Sequence, residues 1–189
     1  MNSVTEEHWV KRSALAWLLI AQTVVILPLF FYLPLWLPVL WLACLLWRIQ
    51  IYRGAWAFPS SRAKAVLGGV CIVALLVTYS GIIGVEPLVA FLLISFVLKL
   101  IEVRSRSDVL VIIYVGFITV AAQFLFYQTI FIAVYGSVSV ILLLCAWNCI
   151  YRSHAVSPKR QLWASTGLVL QSLPLMVLLF LVLPRVGSL

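Results

Sequence analysis

The chain has 189 residues, of which 65% are hydrophobic and 10% charged, with a formal net charge of +8. That is too little charge to cover the surface of a soluble domain, and the apolar residues run in long stretches instead of amphipathic stripes. The basic residues sit in short loops between those stretches, which fits membrane topology and contact with lipid head groups and argues against nucleic acid as a partner.

In chain order, Lys11-Arg12 leads the first apolar run. The run is too long for the core of a cleavable signal peptide, and no small-x-small site follows it, so it is expected to stay as a span. It holds 35 uncharged residues between Arg12 and Arg48. A second run holds 34 residues between Lys64 and Lys99, interrupted only by Glu86. A third holds 43 residues between Asp108 and Arg152, and a fourth holds 24 between Arg160 and Arg185. As single helices the first three would be roughly 51 to 65 Å long, against a hydrocarbon core of about 30 Å, so each must fold back. The fourth fits one crossing.

Each long run has a break near its middle. The first has Tyr32-Leu33-Pro34-Leu35-Trp36, flanked by Pro28 and Pro38. The second has Gly81 to Gly84 followed by Glu86-Pro87, a pair suited to a helix start. The third has the Gln123 to Thr129 stretch. The spans are then 13–32, 34–51, 66–83, 87–103, 108–126, 129–150 and 163–183. The expected fold is an all-α, polytopic transmembrane bundle of about seven spans. It comprises three helical hairpins plus one helix in a single membrane domain over residues 1–189.

Charge supplies the orientation. With seven spans and the N-terminus inside, the inner loops hold Lys11, Arg12, Arg48, Arg53, Arg62, Lys64, Lys99, Arg104, Arg106, Arg152, Lys159 and Arg160, which is 12 of the 13 basic residues. Only Arg185 lies outside. Lys and Arg concentrate in cytoplasmic loops, so an N-in, C-out topology is expected. Tyr32, Trp36 and Tyr127 fall near the outer interface, and Trp9, Trp47, Tyr52, Trp56, Tyr151 and Trp163 near the inner one. Trp17, Trp41 and Tyr135 lie deeper and read as packing residues.

Chemistry-bearing residues are sparse. Cys44, Cys71, Cys145 and Cys149 all fall in the inner half of the bilayer, where disulfides are not expected. Cys145 and Cys149 share a helix face with His154 following, but no fourth ligand stands at metal spacing, so packing thiols are the better reading. His8 and His154 are both in cytoplasmic segments and Asp108 is the only aspartate, so neither a Ser–His nor a paired-Asp intramembrane site is visible. No catalytic residue, cofactor or metal is expected. Gln22, Gln171 and Ser172 can bond between helices, and Pro174 is placed to kink the last span.

The densest charge cluster is Lys99, Glu102, Arg104, Arg106 and Asp108, between spans four and five. Lys99 and Glu102 share a helix face at i, i+3, and Glu102 and Arg106 would do so at i, i+4 if the helix continued. Asp108 stands where an N-cap for span five is needed. The plain reading is a tight inner turn with Lys99 reaching to the head groups; the functional one is a coupling or substrate site. On the outer side, Glu86 and Arg185 are placed to pair if spans four and seven are neighbours.

Three stretches carry a family resemblance: the Leu33-Pro34-Leu35-Trp36 turn, Leu98-Lys99-Leu100-Ile101-Glu102-Val103-Arg104-Ser105-Arg106-Ser107-Asp108, and Leu181-Val182-Leu183-Pro184-Arg185-Val186-Gly187. Together they resemble the N-terminal membrane region of TgpA-type bacterial transglutaminase-like proteins. That family has a similar Lys-x-x-Glu motif leading to an Arg-Asp pair, and a Phe-Pro-Arg ending to its last N-terminal span. Here Ser107 stands in place of the arginine and Leu183 in place of the phenylalanine. The resemblance implies a location in the bacterial inner membrane. It also implies that a Cys-His-Asp catalytic domain would begin outside the cell membrane where this sequence stops, at Leu189.

The chain is therefore expected to be a non-catalytic membrane-anchoring or regulatory module. Its partners would be the lipid bilayer and a transglutaminase-like domain, in cis or encoded separately. The alternative is a small transporter or channel-like bundle that uses Lys99 and Glu102.

Overall fold

A computed structural model describes residues 12–54, 59–79, 84–103, 105–127, 129–151 and 157–182. These form seven α-helices and, among the described residues, no strand. They are α1 (Arg12–Ile26), α2 (Trp36–Tyr52), α3 (Ser61–Tyr79), α4 (Val85–Glu102), α5 (Arg106–Phe126), α6 (Ile130–Tyr151) and α7 (Pro158–Val182). A 3-10 segment, Leu27–Phe31, extends α1. Four stretches are long and apolar enough to cross a membrane: Ala14–Phe31, Ser61–Tyr79, Arg106–Phe126 and Ile130–Tyr151. The helix Trp36–Tyr52 is apolar but shorter. The helix Val85–Glu102 carries Glu86, Lys99 and Glu102 at its ends.

Most helix ends fall within a few residues of the expected spans. The exceptions lie at the basic end. There α3 begins at Ser61 and α7 at Pro158, about a turn before the apolar runs, because helical hydrogen bonding continues into the charged flanks. Lys64 therefore belongs to the first turn of α3 and not to a loop. At the third hairpin α5 runs through Gln123 to Phe126, so the turn is confined to the residues just after it.

The first hairpin is set by Pro28. Proline has no N–H, so the carbonyl of Val24, four residues upstream, loses its α-helical donor. The shift to 3-10 spacing makes the Val25 carbonyl look to Pro28 as well. Val25 is buried in the bundle and Val24 half-buried, and an unpaired carbonyl away from water is costly. Tyr135 Oη donates to Val24 O at 2.6 Å, and Gln123 Nε2 donates to Val25 O at 2.7 Å. Tyr127 Oη reaches Pro28 O at 3.3 Å. Side chains from α5 and α6 thus close what a proline just after α1 opens. Gln22, fully buried on α1, donates from Nε2 to Phe96 O of α4 at 2.9 Å.

These bonds and the apolar core hold α1, α5 and α6 together, with α4 packed against α5. On the other side of α4 lie α2 and α3, and α7 packs on α6. Fully buried Phe96, Leu93, Leu100, Ile112, Ile113 and Leu143 form the centre of the core. Gly116 allows α5 to approach α6, since a Cβ there would stand 2.8 Å from Leu143 Cδ2.

Successive helices run in opposite directions. One end of the bundle gathers Tyr32 with Tyr127 (ring centroids 4.7 Å apart), and Trp36 Nε1 with Thr78 Oγ1 at 3.2 Å. The opposite end gathers the start of α3, the end of α4 and the start of α5. The basic residues of the described part lie toward that second end: Arg12, Arg53, Arg62, Lys64, Lys99, Arg106, Lys159 and Arg160 at or next to helix termini, and buried Arg48 about a turn inside the end of α2.

Candidate functional site: a charged cleft at the basic end

Glu102 is the hub of the site. Its Oε1 accepts from Lys64 Nζ at 2.6 Å and its Oε2 from Lys99 Nζ at 3.2 Å. Lys99 Nζ also pairs with Asp108 Oδ1 at 3.0 Å. Three helices meet in this chain of contacts. Lys64 comes from the first turn of α3, Lys99 and Glu102 from the last turn of α4, and Asp108 from the first turn of α5. The carboxylates and ammonium groups balance in charge. Their side chains are 23–43% exposed, so each pair adds fixed geometry more than stability.

The turn between α4 and α5 has a definite construction. Val103 adopts an extended conformation (φ −55°, ψ 113°) and stops α4. Ser105 then caps α5: its Oγ accepts from Asp108 N at 3.2 Å, while Ser105 N donates to Asp108 Oδ2 at 3.0 Å. Asp108 is thus the third residue of the helix and the reciprocal half of a capping box, where the sequence expectation made it the cap itself. At that position its carboxylate also sits well in the field of the helix N-terminus. One oxygen closes the box and the other holds Lys99.

Of the predicted cluster, Lys99, Glu102 and Asp108 are brought together. Arg106 is exposed at the start of α5. Because α4 ends at Glu102, the i, i+4 relation between Glu102 and Arg106 does not arise. Arg104 and Arg185 lie outside the described residues, so the outer-face pair is represented only by Glu86, exposed in the first turn of α4. Lys64 was not in the predicted cluster. It lies 38 residues from Glu102, and its membership depends on α3 packing against α4.

The cluster lines a cavity of about 440 Å³ together with Pro59, Ser60 and Ser61. A second, apolar cleft of about 320 Å³ adjoins it, with Pro59, Lys64, Lys99 and Glu102 lining both. The cleft runs between the end of α2, represented by Trp47, and the start of α3, represented by Ala63 and Leu67. Leu98 and Ile101 of α4 form its floor.

Elsewhere the polar side chains act in packing. Gln161 Nε2 donates to Cys145 O, and both Cys145 Sγ and Asn148 Nδ2 stand 3.3 Å from Ser165 Oγ, which joins α6 to α7. Cys44, Cys71, Cys145 and Cys149 form no disulfide among the described residues, and His154 lies outside them. Gln22 does bond between helices, but Gln171 and Ser172 are exposed and Ser172 bonds within α7, to Val169 O. Pro174 lies inside α7, which continues to Val182.

The amino-acid sequence is 38% identical over 181 residues to a protein-glutamine gamma-glutamyltransferase of Pseudomonas aeruginosa strain PAO1. That alignment covers 95% of this chain but only 27% of the relative, so the chain corresponds to a minor part of that protein's length. No solved structure matches the fold. The profile described as the TgpA N-terminal domain matches residues 17–189, nearly the whole chain, and the protein belongs to the TgpA N-terminal domain family.

Proposed function

We propose that the chain is a seven-span module of the bacterial inner membrane, N-terminus inside and C-terminus outside, that anchors an envelope transglutaminase-like domain and contributes no catalytic residue to it. The observation that carries the proposal is a helical bundle, matched to a minor part of a glutamyltransferase, whose described basic residues all sit at one end. By the positive-inside rule that end faces the cytoplasm. Seven described helices of alternating direction would then bring the end of α7 to the opposite side, where an enzyme of the envelope works. The transporter alternative is less well supported. It calls for charged groups along a path through the bundle, whereas Lys64, Lys99, Glu102 and Asp108 sit at one end and neutralise one another.

The test is a pair of reporter fusions. Alkaline phosphatase fused after Leu189 should be active, and the same enzyme fused after Ser157 inactive. The reverse pattern contradicts the orientation and with it the anchoring role.

A further inference from the structure

We infer that the charged cavity and its adjoining apolar cleft form one binding site for a single phospholipid, with the phosphate held by Lys64 and Lys99 and an acyl chain laid against α4. This goes beyond the anchoring role but rests on the reading that the bundle is embedded with its basic end in a leaflet.

The polar half has donors to spare. An ammonium group has three N–H donors. Lys64 places one on Glu102, and Lys99 places one each on Glu102 and Asp108. Three ammonium N–H donors therefore remain at the rim, joined by the hydroxyls of Ser60 and Ser61 on the same wall. The carboxylates have a different task. Asp108 is engaged by the Ser105 cap and Lys99, and Glu102 by both lysines. They fix two long, flexible side chains so that their remaining donors point into one space. That arrangement suits the several acceptor oxygens of a phosphate ester.

The apolar half explains why the ligand is a lipid and not free phosphate. Helices α2 and α3 are tied at the far end by Trp36 and Thr78, while at the charged end both lean on α4 and leave the cleft between them. Leu67, Leu98 and Ile101 line it with hydrocarbon, and the Trp47 indole stands at its side. Indoles favour the depth at which head group meets acyl chain. Polar and apolar halves share four lining residues, so a ligand filling both must be amphiphilic.

The experiment uses the full chain purified in detergent, with phosphatidylglycerol and phosphatidylethanolamine as probes in mixed micelles and bound lipid counted by native mass spectrometry. One phospholipid should bind saturably per chain. Lys64→Ala should weaken it about tenfold, the size expected for losing a charge-assisted hydrogen bond. Ala63→Phe, which fills the cleft from an exposed position of α3, should weaken it without touching a charge. Arg53→Ala, at the same end but away from the cavity, should leave it unchanged.

Retention that is equal in wild type, Lys64→Ala and Ala63→Phe would overturn the inference, as would inorganic phosphate competing as well as phospholipid. Thermal melting of each variant separates lost binding from lost folding, and Ala63→Phe tests the site without breaking the ion pairs. A chain that fractionates with membranes yet binds no lipid saturably sinks this inference alone. A chain that leaves the membrane on alkaline washing sinks the anchoring proposal first.

Discussion

At the scale of single residues, the informative ones are those that hold others in place. Glu102 reaches Lys64 across 38 residues of sequence and Lys99 within its own helix. Both pairs are partly exposed, so a Lys64→Ala/Glu102→Ala double-mutant cycle should give a coupling of about 0.5–1 kcal/mol, read from unfolding of the detergent-solubilised protein. Strict additivity would mean the contact is not made. Ser105→Ala removes the cap of α5 and should cost about 1 kcal/mol, while Ser107→Ala, two residues on, should change stability by less than about 0.5 kcal/mol. Equal effects at the two serines would contradict the capping box. Lys99, Glu102 and Asp108 were legible in the sequence because helical spacing and capping are local. Lys64 was not, since nothing local says which helices lie side by side. Asp and Ser are both good N-caps, so residue type alone does not say which of Ser105 and Asp108 caps α5; the reciprocal bonds between them do.

At the scale of elements, proline and glycine decide how the helices meet. Pro28 strips donors from the carbonyls of Val24 and Val25, and Tyr135 and Gln123 replace them. Tyr135→Phe should therefore cost about 1 kcal/mol. In a Pro28→Ala background, where the backbone donor returns, the same change should cost much less; an undiminished cost would show that the hydroxyl serves some other purpose. Gly116 is the close approach of α5 to α6. Gly116→Val would force buried Leu143 aside and should cost about 2 kcal/mol, whereas Gly69→Ala on α3, with open space around it, should stay within about 0.5 kcal/mol of wild type. The proline-marked turn and the depth of Tyr135 could be read from sequence. The partner of each freed carbonyl could not, because it depends on α5 and α6 packing against α1, which no local pattern gives.

At the scale of the whole molecule, hydropathy and charge carry the account. Long apolar runs require hairpins, and the gathering of Lys and Arg at alternate helix ends requires that those ends lie together, as they do in the bundle. Packing order is not legible in the sequence, since both the buried and the exposed sides of these helices carry large apolar side chains. The central claim is that the basic end of the bundle faces the cytoplasm and the aromatic end faces outward. It is tested most directly by single cysteines placed at Leu35, exposed at the aromatic end, and at Ser60, exposed at the basic end. Each would be introduced into a chain lacking its four native thiols and treated in intact cells with a membrane-impermeant maleimide. The account predicts labelling of Leu35→Cys in intact cells, and of Ser60→Cys only after the inner membrane is permeabilised; labelling of Ser60→Cys in intact cells, with Leu35→Cys protected, would contradict it.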